Sequence, residues 1–174
     1  MKTSKLLLAA ITLFAFAATA NTASAQVSTT VQATGTVLEP ITLSGTDLAF
    51  GTQLFPGIAK TITTTDAGAA QFDIDGEASK QITADFTLPT ELTHTTDNTT
   101  TMSVDFTGTV AEYSTSSTPT GTNMHDPSTT LTTTLGSTSG LLYIWLGGTV
   151  SPTSTQKAGA YSGDITLTVA YTGN

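Results

Sequence analysis

Apolar and polar residues alternate with a period of two along most of the chain that follows residue 25. Between residues 70 and 75, Ala70, Phe72 and Ile74 alternate with glutamine and aspartate. The same spacing recurs at Ile82, Ala84, Phe86 and Leu88, at Met102, Val104 and Phe106, and at Ile165, Leu167, Val169 and Tyr171. Because successive side chains of a strand point to opposite faces, this period predicts strands with one buried face.

Glycine and proline divide these stretches into about eight to ten short predicted strands. Residues 141–146 are apolar on both faces, which predicts a central strand. Residues 113–130 are rich in serine, threonine, proline and glycine, which predicts a long loop. Short strands with frequent turns favour an all-β fold, in which two antiparallel sheets bury their apolar faces against each other as an immunoglobulin-like β-sandwich.

The first 25 residues have a different pattern and predict a cleaved signal peptide. Lys2 and Lys5 precede an apolar run over residues 6–18, and the motif Ala-Ser-Ala ends at Ala25. A positive start, an apolar run too short to cross a bilayer and a small-x-small motif are typical of an exported precursor. Cleavage would leave residues 26–174 as a single domain, with no membrane insertion afterwards.

Composition strengthens the β prediction and narrows the set of partners. Threonine accounts for 42 of the 174 residues, and its β-branched side chain favours strands over helices. After cleavage, three lysines would remain against thirteen carboxylates with no arginine, a net charge of −10. Such a surface repels phosphates, so we expect neither nucleic acid nor anionic lipid as a partner. The chain has no cysteine, which excludes disulfides and thiolate metal sites.

Motifs along the chain resemble those of a family of exported bacterial proteins. Residues 158–171 read Ala-Gly-Ala-Tyr-Ser-Gly, followed by alternating apolar residues and a near-terminal tyrosine. Upstream, the sequences Val37-Leu-Glu-Pro-Ile, Leu48-Ala-Phe-Gly, Pro56-Gly and Gly147-Gly-Thr-Val match in the same order. The sequence thus resembles the domain-of-unknown-function 4402 family and is similar to spore-coat-U-like and archaic chaperone–usher pilin domains. The resemblance implies a surface-fibre subunit whose partners are copies of itself, related subunits and an assembly chaperone.

The stretch after the predicted cleavage site has the pattern of a separate N-terminal strand over residues 26–38. Up to residue 37, its apolar side chains occupy odd positions, with polar residues between them. These candidate interaction residues are Val27, Val31, Ala33 and Val37. Such a strand can pair in cis within its own sheet, or it can act as a donor strand that completes the sheet of a neighbouring subunit in trans.

Two aromatic residues on the predicted central strand are further candidate interaction residues. Tyr143 and Trp145 share one face of that strand. On an exposed sheet, this pair could stack on a sugar ring or on a neighbouring subunit. If the strand is covered on both sides, the two rings instead fill the protein interior. The sequence leaves both interpretations open.

No residue pattern predicts catalysis, a metal site or a cofactor. Asp73, Asp75 and Glu77 surround a glycine, but their spacing fails that of the helix-flanked calcium loop, and a solvated strand edge explains them equally well. The only histidines, His94 and His125, lie in polar stretches without the short-spaced partners of a zinc site. We expect both histidines in surface loops.

These observations favour a non-enzymatic structural subunit of a bacterial surface fibre or coat that assembles by strand addition. The expected location is the periplasm in transit, and then the cell surface or the extracellular space. The alternative is a secreted monomeric module that binds carbohydrate or a host or cell surface.

Overall fold

The computed structural model describes residues 26–173, and the predicted signal peptide at residues 1–25 lies outside them. The all-β prediction is confirmed for the described residues: every paired strand runs antiparallel to its neighbour. The strands are β1 (Thr42–Thr46), β2 (Lys60–Ile62), β3 (Ala70–Asp75), β4 (Gln81–Thr87), β5 (Glu91–His94), β6 (Thr101–Asp105), β7 (Ala111–Ser114), β8 (Met124–His125), β9 (Leu131–Thr134), β10 (Leu141–Leu146), β11 (Gly148–Ser151), β12 (Tyr161–Ser162) and β13 (Thr166–Tyr171).

The thirteen strands of this range form three antiparallel sheets. The first sheet has the order β1-β3-β10-β7-β8, the second β12-β5-β6-β11-β2 and the third β13-β4-β9. β1, β12 and β13 therefore each lie at a sheet edge. Within residues 26–173, no helix is long and apolar enough to cross a membrane.

The apolar run at residues 141–146 forms β10, and its predicted central position is confirmed. β10 pairs with β3 on one side and with β7 on the other, and Ile144 lies opposite Phe72. Gly147 separates β10 from β11, so the chain passes there from the first sheet to the second. A Cβ atom at Gly147 would overlap the carbonyl oxygen of Ile62, so only glycine fits at this passage.

Threonine lines the exposed positions of several strands. Thr61 in β2 lies opposite Thr149 in β11, and their hydroxyl oxygens are 2.8 Å apart. Cross-strand pairs of this kind stabilise a sheet while leaving a polar surface. The high threonine content is therefore explained by solvent-facing strand positions as well as by loops.

The protein has two apolar clusters. The first contains Ile74, Ile82, Ala84, Leu131, Leu135, Leu142, Ile144 and Leu167. The second contains Ala70, Met102, Val104, Phe106, Ala111, Leu146 and Val150. Phe72 and Phe86 pack against both clusters, and their rings meet edge to face with centroids 5.5 Å apart. This aromatic pair therefore joins the two clusters.

Two local predictions from the sequence are wrong. The expected loop at residues 113–130 begins inside β7 and contains β8, which pairs with β7. His94 lies at the end of β5 with only 4 % of its surface exposed, instead of in a surface loop. A polar composition indicates solvent contact on average, but specific hydrogen bonds can bury a polar residue at low cost.

Contacts divide the chain into one unit that ends at Thr36 and another that begins at Val37. Within the first unit, residues 26–36 carry no strand in this single chain. Their side chains are exposed: Val27 is 92 % exposed and Val31 is 85 % exposed. A donor strand would pair only in an assembly of chains, so the donor-strand hypothesis stays a prediction.

Candidate functional site

An apolar groove lies beside the edge strands β1 and β12, within the unit that begins at Val37. One wall consists of residues 45–52 with Leu54 and Pro56, and the other of residues 156–166. The volume of the groove is about 1380 Å³. Pockets for small molecules usually measure ~300–1,000 Å³. The groove is therefore larger than a single small ligand requires.

The floor of this groove belongs to the second apolar cluster. Ala70, Met102 and Phe106 line it, although each is at most 7 % exposed. The half-buried side chains around them also pack against that cluster; these are Leu48, Phe50, Leu54, Phe72, Leu92, Tyr161 and Ile165. The groove thus leads from solvent directly onto the protein core. Its shape and apolarity suit an extended peptide segment with apolar side chains on one face.

Hydrogen bonds of Tyr171 join the end of β13 to the residues just before β1, away from the groove. The Tyr171 hydroxyl donates to the carbonyl oxygen of Glu39 at 2.8 Å and accepts from the backbone N–H of Glu77 at 2.7 Å. These bonds tie the end of β13 to the chain that enters β1. The start of β1 and the end of β13 are therefore held together at the end away from the groove.

His94 anchors the groove wall formed by residues 156–166. Its Nε2 atom lies 3.2 Å from the carbonyl oxygen of Ala158, and its ring meets Tyr161 edge to face with centroids 5.1 Å apart. Its Nδ1 atom accepts from the backbone N–H groups of Thr96 and Asp97. Each ring nitrogen therefore has a partner, which explains why this histidine can be buried.

Further polar contacts fix the same wall. Gln156 donates through Nε2 to the Thr101 carbonyl at 3.0 Å and to the Tyr161 hydroxyl at 2.7 Å. The Lys157 ammonium lies 2.6 Å from an Asp97 carboxylate oxygen. This ammonium, together with the N–H groups of Thr100 and a neighbouring threonine, holds the pKa of Asp97 well below its usual range. Polar bonds therefore hold this wall, together with the packing of Tyr161 and Ile165 against the second apolar cluster.

Gly159 permits the close approach of this wall to His94. Its φ angle is +144°, in the region that side chains disfavour, and a Cβ atom would overlap the His94 ring. Both the backbone conformation and the contact therefore require glycine at this position.

On the first sheet, a buried carboxylate is enclosed by polar groups. Glu112 in β7 is 0 % exposed. Its carboxylate accepts the backbone N–H of Thr120 at 2.7 Å, the N–H of Gly121 at 3.0 Å and the Thr64 hydroxyl at 3.0 Å. Burial raises the pKa of Glu112, but these donors outweigh burial, so the pKa lies below its ordinary value. We call Thr64 and residues 120–122 the polar cover of Glu112.

The candidate aromatic pair on β10 lies on the face that also carries Glu112. Trp145 is 2 % exposed, and its indole N–H donates to the Gln71 side chain at 3.1 Å. The Tyr143 and Trp145 rings stack with centroids 6.0 Å apart, and Tyr143 is half-buried. The burial of Trp145 agrees with the interpretation that these rings fill the interior, and it leaves at most the Tyr143 ring for an outside partner.

The candidate strand-addition residues are placed differently from the aromatic pair. Val27, Val31 and Val37 are 92 %, 85 % and 95 % exposed, and Ala33 is also exposed. Single exposed apolar residues are common on protein surfaces, but several of them along one segment offer a surface that a partner can cover. Their exposure keeps all four available to a partner chain.

The carboxylates around Gly76 have structural partners of their own. Asp73 accepts the Gln71 side-chain amide at 2.6 Å, and Glu77 accepts the backbone N–H of Glu39 at 3.3 Å. Residues 26–173 contain no group of three or more histidine or acidic side chains placed to hold a metal ion. His125 was expected in a surface loop, but it lies in β8 and is half-buried, with Nε2 3.0 Å from the Thr129 carbonyl oxygen.

Sequence reasoning missed three features: the groove, the polar cover and the burial of His94. The residues that line the groove were recognised as parts of strand and turn motifs. The groove itself exists because β1 and β12 each lack a neighbouring strand on one side, and a local motif does not show this. Glu112 carries no signal beyond an acidic residue placed between alanine and tyrosine. The glycine at position 159 is the only hint in the sequence that the chain passes close to another group there.

The fold and the groove define this protein as an all-β domain with one side of its core open to solvent. Residues 8–171 match the model of a family described as domain of unknown function 4402. The match spans most of the chain, so the protein belongs to the domain-of-unknown-function 4402 family, as its motifs predicted. The likeness to spore-coat and pilin domains stays a prediction. No curated protein matches the chain.

Proposed function

We propose that this protein is a non-enzymatic structural subunit of a bacterial surface fibre or coat. In this proposal the chain is exported by its signal peptide and folds as an immunoglobulin-like sandwich with one edge strand missing. The second and third sheets then act as one layer, since β4 leads directly into β5 and β12 leads directly into β13. The N-terminal segment of a neighbouring subunit supplies the missing strand.

The observation that carries the proposal is the apolar groove. A core that opens between two edge strands offers unpaired backbone groups and apolar contacts together, which is what an added strand uses. The same chain carries an exposed segment, residues 26–37, whose three valines all lie at odd positions. Donor and acceptor features are thus both present in one sequence.

Burial of the exposed valines would provide a large part of the binding free energy. Full burial of a valine contributes ~1.5–3 kcal/mol. Val27, Val31 and Val37 together would contribute roughly 5–9 kcal/mol as an upper limit. This is comparable to the whole stability of a typical domain, ~5–15 kcal/mol. Strand addition could therefore hold subunits together without any cross-link.

The geometry of such an exchange predicts an open chain of subunits. Each subunit would receive a segment from one neighbour and give its own to the next. A head-to-tail contact of this type builds a filament unless the rotation between subunits closes a ring. The protein would then remain at the cell surface through its neighbours in the fibre.

The test uses the chain from residue 26 to residue 174, studied by size exclusion with light scattering and by electron microscopy. We expect polymers for this chain and monomers after deletion of residues 26–36. A peptide of residues 26–38 should bind the deleted chain and raise its melting temperature. A peptide with the same composition but without the alternation is the matched control.

A polymer that survives the deletion would contradict strand donation by this segment. A full chain that stays monomeric at high concentration, with residues 26–36 protected from amide exchange, would contradict assembly in trans. That second result would favour the secreted binding module instead.

A further inference from the structure

We infer that the N-terminal segment of a second copy docks in the groove in one register, with Gly35 beside Phe72 and Val31 in the wide part. This inference rests on the proposed strand addition and specifies which donor residue meets which part of the acceptor. It also fixes the direction of the donor, which runs antiparallel to β1.

Gly45 and Phe72 both line the groove, and we call the place where they meet its narrow point. Gly45 in β1 lies opposite Phe72 in β3, and a Cβ atom on Gly45 would come within 3.3 Å of the Phe72 ring. The Phe72 ring therefore leans over the β1 edge and occupies the space above Gly45. An added strand can pass this point only with a small side chain facing inward.

Away from Phe72, the groove is lined by several larger apolar groups, and we call this stretch its wide part. Leu48, Phe50 and Leu54 form one side, and Leu92 and Tyr161 lie on the other. Met102 and Phe106 form the floor there. A branched side chain such as valine fits this part, and its burial would cover these partly exposed residues.

The donor segment has the matching order of sizes. Counting the inward, odd positions from the N-terminus gives Val27, Thr29, Val31, Ala33, Gly35 and Val37. The two smallest side chains are consecutive, and valines lie on both sides of them. The even positions carry only serine, threonine and glutamine, which suits the solvent face of an added strand.

Aligning the small residues with the narrow point fixes the register and the direction. With Gly35 at Gly45, Val31 faces the wide part only if the donor runs antiparallel to β1, because the groove extends from Gly45 towards Pro56. Val37 then lies beside Leu43, whose apolar side chain is 44 % exposed. A shift by one residue would turn every valine to solvent, so the register is sharply defined.

The first test compares two substitutions at adjacent positions in the chain of residues 26–174. Gly35→Val places a bulky group at the narrow point, whereas Thr36→Val adds the same side chain on the solvent face. Both positions are exposed, and a Cβ on Gly35 meets nothing within 4 Å, so the subunit fold should be unchanged. We expect Gly35→Val to raise the protein concentration needed for polymers at least tenfold, and Thr36→Val to change it less than threefold.

The second test uses cysteine pairs, since the chain has no cysteine of its own. A chain with Val37→Cys and Leu43→Cys should form a ladder of disulfide-linked subunits on a non-reducing gel after oxidation of the polymer. A chain with Thr36→Cys and Leu43→Cys is the control and should give no ladder, because its donor cysteine faces solvent.

The outcomes separate this register from the broader proposal. The register is wrong if the two valine substitutions affect polymer formation equally, or if only the control cysteine pair forms the ladder. Strand addition itself would remain supported in either case, because polymers still form. A wild-type chain that forms no polymer would overturn both.

Discussion

The polar cover of Glu112 and the apolar groove differ in how far they shield the protein interior from solvent. At the cover, the Glu112 carboxylate is completely buried. It accepts hydrogen bonds from the Thr64 hydroxyl and from the backbone N–H groups of Thr120 and Gly121. At the groove, core residues such as Phe72 and Ile165 remain only half-buried. One region is closed by polar bonds within the chain, and the other is left open although its surface is apolar.

The difference follows from the free energies of the two kinds of group. A buried charge without partners costs several kcal/mol, so a chain that buries Glu112 must also supply its donors. An apolar surface left in water costs only ~25 cal/mol per Å² and requires no specific partner. An open apolar groove is thus tolerable in a single subunit, and the same area becomes available as binding free energy when a strand is added.

The largest expected effect comes from opening the closed region. Glu112→Ala removes the acceptor of the Thr64 hydroxyl and of the N–H groups of Thr120 and Gly121. The Thr64 hydroxyl is buried, and a buried donor without a partner costs ~1–3 kcal/mol, whereas the N–H groups of the exposed residues 120 and 121 lose a charge-assisted bond but can reach water. We therefore expect the free energy of unfolding to fall by about 2–4 kcal/mol. Urea denaturation measures this change.

The matched control for this substitution is Glu91→Ala, at the exposed first residue of β5. It removes the same side chain without removing a buried acceptor, and it should change the free energy of unfolding by less than about 0.5 kcal/mol. Equal losses for the two variants would show that the polar cover adds no stability.

The features that the sequence predicted depend on residues close together in the chain, and the features that it missed depend on residues far apart. The period of two in residues 70–75 and 141–146 is a local signal, and the strands at β3 and β10 were predicted correctly. The central position of β10 was also predicted correctly, because its residues are apolar on both faces and such a strand is covered on both sides. The family was recognised from turn and strand motifs of the same local kind.

The remaining features depend on pairs of residues that are far apart in the sequence. Thr64 and Glu112 are 48 positions apart, and His94 and Ala158 are 64 positions apart. Nothing near His94 distinguishes it from the polar turn that follows. The groove is likewise defined by strands that have no neighbour on one side, which a local pattern does not contain.

A smaller effect is expected where the groove wall meets His94. Gly159→Ala introduces a Cβ at a φ angle of +144° and against the His94 ring. Strain of this type costs ~1–3 kcal/mol, and we expect a loss of stability in that range with faster amide exchange in residues 156–163. Gly108→Ala is the control, because its φ angle is +82° but nothing lies within 4 Å of the added Cβ.

Amide exchange in the wall reports the contact with His94 more directly than the difference in stability, because the φ angles of the two glycines also differ. We expect Gly108→Ala to lose about 1 kcal/mol from backbone strain alone, without changing exchange in the wall. If the wall exchanges equally fast in both variants, His94 does not anchor it, and the groove would have a flexible side in place of a fixed one.

The smallest effect is the dependence of stability on pH, which involves one carboxylate in each region. The pKa values of Glu112 and Asp97 are both lowered in the folded protein. Each therefore adds stability that is complete above the unfolded pKa, ~4.3 for glutamate and ~3.9 for aspartate, and is lost as the pH falls through the folded pKa. Unfolding by urea between about pH 6 and pH 3 should show the beginning of this loss, which continues at lower pH.

Salt distinguishes the two carboxylates. Glu112→Gln and Asp97→Asn should each reduce the loss of stability in acid. The largest cause at Asp97 is the Lys157 ammonium, whose side chain is 53 % exposed, so adding about 0.5 M salt should weaken its contribution. Glu112 is held by uncharged donors within the polar cover and should keep its contribution at that ionic strength. An equal response of both variants to salt would mean that the closed region is as accessible to solvent as the groove wall.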